Sequence, residues 1–220
     1  MNQSNFIGQL FSQGGVIMWP LAVCSVLAIA LIIERVVFWY RLHNRQRYFL
    51  RDIIKLYRHE PDLVPGKLKH YRDLPLARIF LAAVELDDPS PEEFRLALES
   101  EAQAEIPTLK RFSTIFETIV GLAPLLGLLG TILGLIASFA SLKIGEVGGA
   151  QTTNVTGGIS EALIATASGL VVAIFTLVFA NAFRGFYTRQ SALIQEYGGQ
   201  LELVYRHRYE RREKTYASAR

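Results

Sequence analysis

Charge is what long stretches of this chain lack. Residues 1–33 contain no Asp, Glu, Lys or Arg, and neither do 118–142 or 162–183. Between 147 and 183 the only charged side chain is Glu161. A helix at the surface of a soluble protein returns a polar residue to its wet face every third or fourth position. These runs do not, which excludes an ordinary globular domain. Cysteine is almost absent as well. Cys24 stands alone inside the first apolar run, so no disulfide can form within the chain, and it reads as a small packing residue. His43, His59, His70 and His207 are scattered without ligand spacing, so no metal site is expected. Phosphate loops, βαβ patterns and internal repeats are missing. No nucleophile–base pair or cofactor motif falls at membrane depth, so neither an enzyme nor a bound cofactor is expected.

What remains is an alternation of charge-free and charge-rich blocks, the pattern of an integral membrane protein. The first span is Val16–Ile33, with Trp19 at one end and Trp39–Tyr40 about 30 Å further along a helix, the thickness of a hydrocarbon core. A cleaved signal peptide fits poorly, because the positive charges follow the apolar run instead of preceding it. The second span lies within Ile115–Leu142 and the third within Ile159–Phe183. Both exceed the ~20 residues needed to cross.

Orientation follows from Lys and Arg. Segment 1–17 has none and 143–158 has only Lys143, whereas 41–111 has 13 and 184–220 has 8. The positive-inside bias places the N-terminus outside and the C-terminus in the cytoplasm. The expected fold is therefore all-α: three transmembrane helices with long cytoplasmic helical extensions. Its segments are an external interfacial stretch 1–15, transmembrane helix 16–40, a cytoplasmic helical region 41–114, transmembrane helix 115–142, an external loop 143–158, transmembrane helix 159–183, and a basic helical tail 184–220. Within the cytoplasmic region, Ser90–Pro91–Glu92–Glu93 reads as a helix cap. Pro107 stands where a kink would fall before the second span. The basic tail reads as a solvated, lipid-facing end and not as a nucleic-acid site.

Polar atoms inside the spans carry the functional signal. Glu161 is a costly carboxylate near or within the bilayer, so it should face protein or water, where desolvation favours its protonated form. The alternative is an interfacial Glu that ends the helix in water beside Gly157–Gly158. Pro124, Gly127, Thr131, Gly134 and Ser138 fall on one stripe of the second span, and Gly130–Gly134 form a small-xxx-small pair. In the third span Thr166, Gly169, Ala173 and Thr176 form a second stripe, with Ser168 beside it. Packing alone explains the glycines, and Thr131 can bond its own backbone. Two hydroxyl-bearing stripes also suit a path for protons or small cations. Three spans enclose little volume, so such a path needs several chains.

At these residues a resemblance appears. GLAPLLGLLGTILGLIASF (121–139) and GGISEALIATASGLVVAIFTLVFAN (157–181) closely resemble the ExbB/TolQ/MotA proton-channel family, specifically its ExbB/TolQ branch. The MotA branch usually has a fourth span, and no run here supplies one. The resemblance implies a stator subunit of an inner-membrane motor, assembled as a homopentamer around the single spans of an ExbD/TolR-like partner that brings the essential aspartate. It implies a periplasmic N-terminus, protons as coupling ion, and a TonB- or TolA-like periplasm-spanning protein as the recipient of force. Thr131 and Thr166 match the family's pore-facing threonines, and Glu161 matches the acid of its G-I-[AS]-E-A-L motif. ExbB-like coupling means energised uptake across an outer membrane, and TolQ-like coupling means envelope integrity; the ExbB reading is preferred. A non-conducting membrane scaffold is the alternative from another class. Two departures stand out: Phe175 occupies a usual Pro position, and Ser168 replaces a usual aliphatic.

Overall fold

Six α-helices and one 3₁₀ turn account for the architecture of residues 15–140 and 149–218, which the computed structural model describes. The helices are α1 (Met18–His59), α2 (Val64–His70), α3 (Pro75–Val84), α4 (Pro91–Leu109), α5 (Ser113–Ala140) and α6 (Gly149–Ser218), with the 3₁₀ turn at Pro61–Leu63. No strand occurs among the described residues. The surface helix expected in 1–15 lies outside them except for Gly15.

Proline and backbone sign set the boundaries. Pro20 falls in the first turn of α1, where its missing N–H is not needed. Pro61 pushes Glu60 out of the helical region (φ −138°, ψ 71°), which stops α1 after His59. Ser90 caps α4 as the spacing predicts: its Oγ accepts from the Glu93 N–H at 3.3 Å, and the Glu93 carboxylate accepts from the Ser90 N–H at 2.7 Å. Those bonds hold the Glu93 carboxyl below its ordinary pKa. Pro107 stays inside α4, and the break comes at Phe112, whose φ of +67° no helix accommodates. Helix α6 begins at Gly149, ten residues before the expected span, and takes in part of the expected loop 143–158. That stretch holds no proline, and Gly157 and Gly158 cost only about 1 kcal/mol each in a helix.

The chain divides into two units: the described parts of Met1–Glu34 with Phe112–Phe183, and Arg35–Arg111 with Arg184–Arg220. In the first, α1, α5 and α6 are long and apolar enough to cross a membrane. Their outward faces carry bare aliphatics such as Val23, Leu125 and Val171.

The second unit has a conventional core. Helix α3 is apolar nearly all round, and Leu76, Ala77, Ile79, Phe80, Leu81 and Ala83 are all buried, as such a helix requires. Phe94 of α4 stacks flat on Tyr205 of α6, with ring centroids 4.2 Å apart, and Tyr57 of α1 lies on its far side at 6.4 Å. Burial pushes the Tyr57 hydroxyl far above its ordinary pKa, against the opposing pull of Arg208. Trp39 packs within this unit: it is 8% exposed, with its ring 5.7 Å from Phe186. Arg35, 2% exposed, donates through both terminal nitrogens to the Thr108 carbonyl at 3.4 and 3.5 Å. That carbonyl is left over where α4 ends, so a buried cation finishes the helix.

A bidentate ion pair ties α3 to α4: Arg78 donates to Glu105 at 2.5 and 2.6 Å. The carboxylate is only 7% exposed. Removing its charge leaves a half-buried guanidinium poorly matched, so Glu105→Gln is expected to cost about 2 kcal/mol of stability. Arg95→Ala, which breaks only exposed pairs, should cost about 0.5 kcal/mol or less. Thermal unfolding of both variants in detergent checks the contrast.

Candidate functional site

The α5–α6 seam is built from side chains small enough to let two backbones touch. Along α5 the small buried positions are Ala123, Gly127, Gly130, Gly134 and Ser138, following the larger buried Phe116 and Ile119. Facing them on α6 are Ala162, Ala165, Gly169, Ala173 and Thr176, with Gly158 half-buried beyond. A Cβ on Gly130 would stand 2.6 Å from the Ala165 Cβ, and one on Gly134 would stand 2.9 Å from the Ala162 Cβ. A Cβ on Gly169 would meet the Ala123 carbonyl oxygen at 2.5 Å. In lipid, where apolar burial between helices gains little, such close approach is what holds them together. Ile17, Met18 and Leu21 at the start of α1 close one side of the seam against Ala123 and Ala173.

Two hydroxyls sit at the edge of this contact. Thr131 and Thr166, both half-buried, hydrogen-bond to each other across the seam. Thr166 Oγ1 also lies 3.0 Å from the Gly127 carbonyl. Thr131 Oγ1 is 3.3 Å from the same carbonyl and 3.3 Å from that of Ala162. Two O–H donors thus face two carbonyls and each other's oxygens, so several bonding arrangements are open to them by hydroxyl rotation alone. The Gly127 carbonyl is reachable because Gly127 brings no side chain: a Cβ there would meet Ala165 O and the Thr166 Cα, each at 3.0 Å.

Glu161 stands apart from the pair, roughly 7.5 Å further up α6 from Thr166. Its half-buried carboxylate lies against Gly15, in the place a Cβ would fill. Gly15 has φ +67°, a backbone state that favours glycine. The chain's entrance into α1 is thus shaped around this carboxylate.

The seam differs from the expected stripe in its flanks. Gly127, Gly134 and Ser138 lie in it, as does Gly130, whereas Pro124 and Thr131 lie beside it, half-buried. Gly169 and Ala173 lie in the α6 face. Ser138 and Thr176 bond back to their own helix, to Gly134 O at 2.8 Å and Val172 O at 2.7 Å. Ala162 and Ala165 were not singled out from sequence, although 162, 165, 169, 173 and 176 repeat at helical spacing. Glu34 also went unnoticed; it is the first charge after the apolar run and is half-buried at the end of this unit. At Phe175 the helix runs on unbroken, as the missing proline allows, and the ring lies 5.0 Å from Phe179. Among the described residues no group of His, Cys, Asp and Glu could hold a metal ion.

Gly169→Ala should drive a methyl into the Ala123 carbonyl and force the helices apart. We expect a loss of about 2 kcal/mol or more, read as a lowered unfolding midpoint in detergent. Gly121→Ala, which meets open space, should be neutral or slightly stabilising.

Residues 72–196, more than half of the chain, match the MotA/TolQ/ExbB proton channel family. The chain is 56% identical over 208 residues to the biopolymer transport protein ExbB-like 3 of Synechocystis sp., covering 94% of this chain and 99% of that protein. It is 42% identical over 199 residues to ExbB-like 1 of the same organism, covering 89% and 78%. The Tol-Pal system protein TolQ of Haemophilus influenzae is 36% identical over 96 residues, covering 43% and 39%. With three membrane-spanning helices and these relatives, the chain is a multi-pass membrane protein and belongs to the MotA/TolQ/ExbB proton channel family, on its ExbB/TolQ side.

Proposed function

We propose that this chain is the proton-conducting stator subunit of an inner-membrane motor that delivers proton-motive force to a periplasm-spanning protein. The observation that carries this reading is the Thr131–Thr166 hydroxyl pair, hydrogen-bonded across a glycine-lined seam in the middle of apolar helices. A scaffold needs the glycines but not the hydroxyls, since each buried polar atom in lipid must find a partner and gains little by it. A proton path needs groups whose hydrogen bonds can be rearranged, and this pair has alternatives within reach. Glu161 supplies a titratable carboxylate in the same unit.

The remaining parts follow the family. Copies of the chain, five in the family pattern, surround the single spans of an ExbD/TolR-like subunit, whose aspartate takes the proton. Thr131 and Thr166 then turn a hydrogen bond from each other toward that carboxyl or a water beside it. Glu161, at the outer mouth, biases which protons approach. The N-terminus is periplasmic and the polar unit cytoplasmic, as the Lys and Arg distribution indicates. The recipient of force is TonB-like, in energised uptake across an outer membrane; the two relatives that align over most of this chain with the highest identity carry ExbB-like names, which supports this reading. Protons are favoured over sodium by the family pattern, since the matched family is one of proton channels.

Glu161→Gln and Thr131→Val test the reading. Each variant should insert and assemble normally, while uptake that depends on the motor falls at least about tenfold. Normal uptake in both, with assembly intact, would leave the hydroxyls and the carboxylate as packing groups and favour the scaffold.

A further inference from the structure

The polar unit carries two complementary faces that do not meet within one chain. Helices α1 and α6 enclose a groove of about 470 Å³ that no carboxylate lines. Arg58, His207, Arg208 and Arg211 edge it, over a floor that includes Leu203 and Val204. Arg208 is spent on the Tyr57 carbonyl at 3.2 Å, but Arg58 and Arg211 form no ion pair among the described residues. Leu203 is 58% exposed. Along α6 the lining residues Gln200, Val204, His207 and Arg211 repeat at helical spacing over three turns.

The opposite character appears on α4. Glu92, Glu93, Glu99, Glu101 and Glu105 stand there against Arg95 alone. Glu92, Leu96, Glu99 and Gln103 share one face, at i, i+4, i+7 and i+11. Leu96 is 63% exposed, and the Glu92 and Glu99 side chains are 69% and 58% exposed. Both acids reach Arg95 on their own helix, and Glu92 also reaches Arg206 of the same chain, all in exposed pairs that hold them only weakly.

We propose that the groove receives the acidic face of α4 from a second copy of this chain. The proposal rests on the assembly put forward above and deepens it by naming the contact. Height supports it. Within one chain α4 and α6 run antiparallel, with Phe94 against Tyr205, Glu92 within 3.7 Å of Arg206, and Asp88 paired with Arg212. Rotation about an axis along the helices leaves every residue at its own height. The next copy's Leu96 therefore comes level with Leu203, its Glu92 with His207 and Arg208, and its Glu99 with Gln200. Each copy offers one face and accepts the other, the head-to-tail contact that closes a ring.

Other occupants fit less well. Arg208 lies about 36 Å along α6 beyond Arg184, the first charge after the apolar run, too far for a bilayer headgroup. The groove lies toward the C-terminal ends of α1 and α6, where backbone N–H groups are already bonded and only carbonyls are left over, so it lacks the backbone donors that polyphosphates use. Carboxylates on a partner helix need only the guanidinium groups present.

Leu96→Cys and Leu203→Cys, placed together on a Cys24→Ser chain and oxidised in native membranes, test the contact. We expect a disulfide ladder of several copies from the double variant and monomers from either single variant. Adding Arg58→Glu and Arg211→Glu should thin the ladder at least about fivefold, with helical circular dichroism unchanged. Native mass spectrometry gives the copy number separately. An oligomeric chain without a ladder would overturn this contact and leave the assembly standing, whereas a monomeric chain would overturn both. Cross-linked dimers from a single variant, or pyrophosphate binding that Arg58→Glu abolishes, would also overturn it.

Discussion

The approach of two backbones at the α5–α6 seam is the constraint on which the site depends. Between helices in lipid there is no water to expel, so association rests on contact made at short range. Gly130 against Ala165, Gly134 against Ala162 and Gly169 against the Ala123 carbonyl provide that contact. Closeness has a second effect: it exposes the Gly127 carbonyl across the seam and places two hydroxyls on it. Larger side chains would separate the helices and dissolve the polar pair together with the packing. The same residues therefore serve stability and chemistry, and only the threonine oxygens distinguish the two.

Around the seam, charge is kept out of the apolar unit except at its edges. Glu161 lies against Gly15, and Glu34 ends the apolar part of α1. In the polar unit, buried ions are finished by specific partners: Glu105 by Arg78, and Arg35 by the carbonyl at the end of α4. Leaving either partner unmatched is costly in a dry interior. That gives the polar unit a defined packing, and with it a defined height for each face of α4 and α6.

Much of this was legible in the sequence because charge segregation and cap chemistry are local. The three apolar helices and the Ser90 cap needed nothing beyond residue type and spacing. The seam was legible only to within one flank. Ala123 and Pro124, or Gly130 and Thr131, are chain neighbours only about 100° apart around the helix, and periodicity does not say which of them meets the partner helix. Trp39 read as an interfacial anchor because an amphipathic ring suits water and lipid alike; its burial against Phe186 is set by a residue almost 150 positions away. The early start of α6 was hidden by polar and glycine residues that usually mark loops. The role of Arg35 had no sequence signal, since a carbonyl acceptor at a helix end leaves no mark in composition.

The central claim is that the hydroxyls of the seam, and not its packing alone, make the path. Proton flux into vesicles containing the chain with the proposed ExbD/TolR-like single-span subunit, compared for Thr131→Ser and Thr131→Val, tests it most directly. Serine keeps the oxygen and loses the methyl group, while valine keeps the shape and loses the oxygen. The account predicts that the serine variant conducts within a few fold of the native chain and that the valine variant does not conduct. Flux through the valine variant equal to the native chain, or equal loss in both, would contradict it.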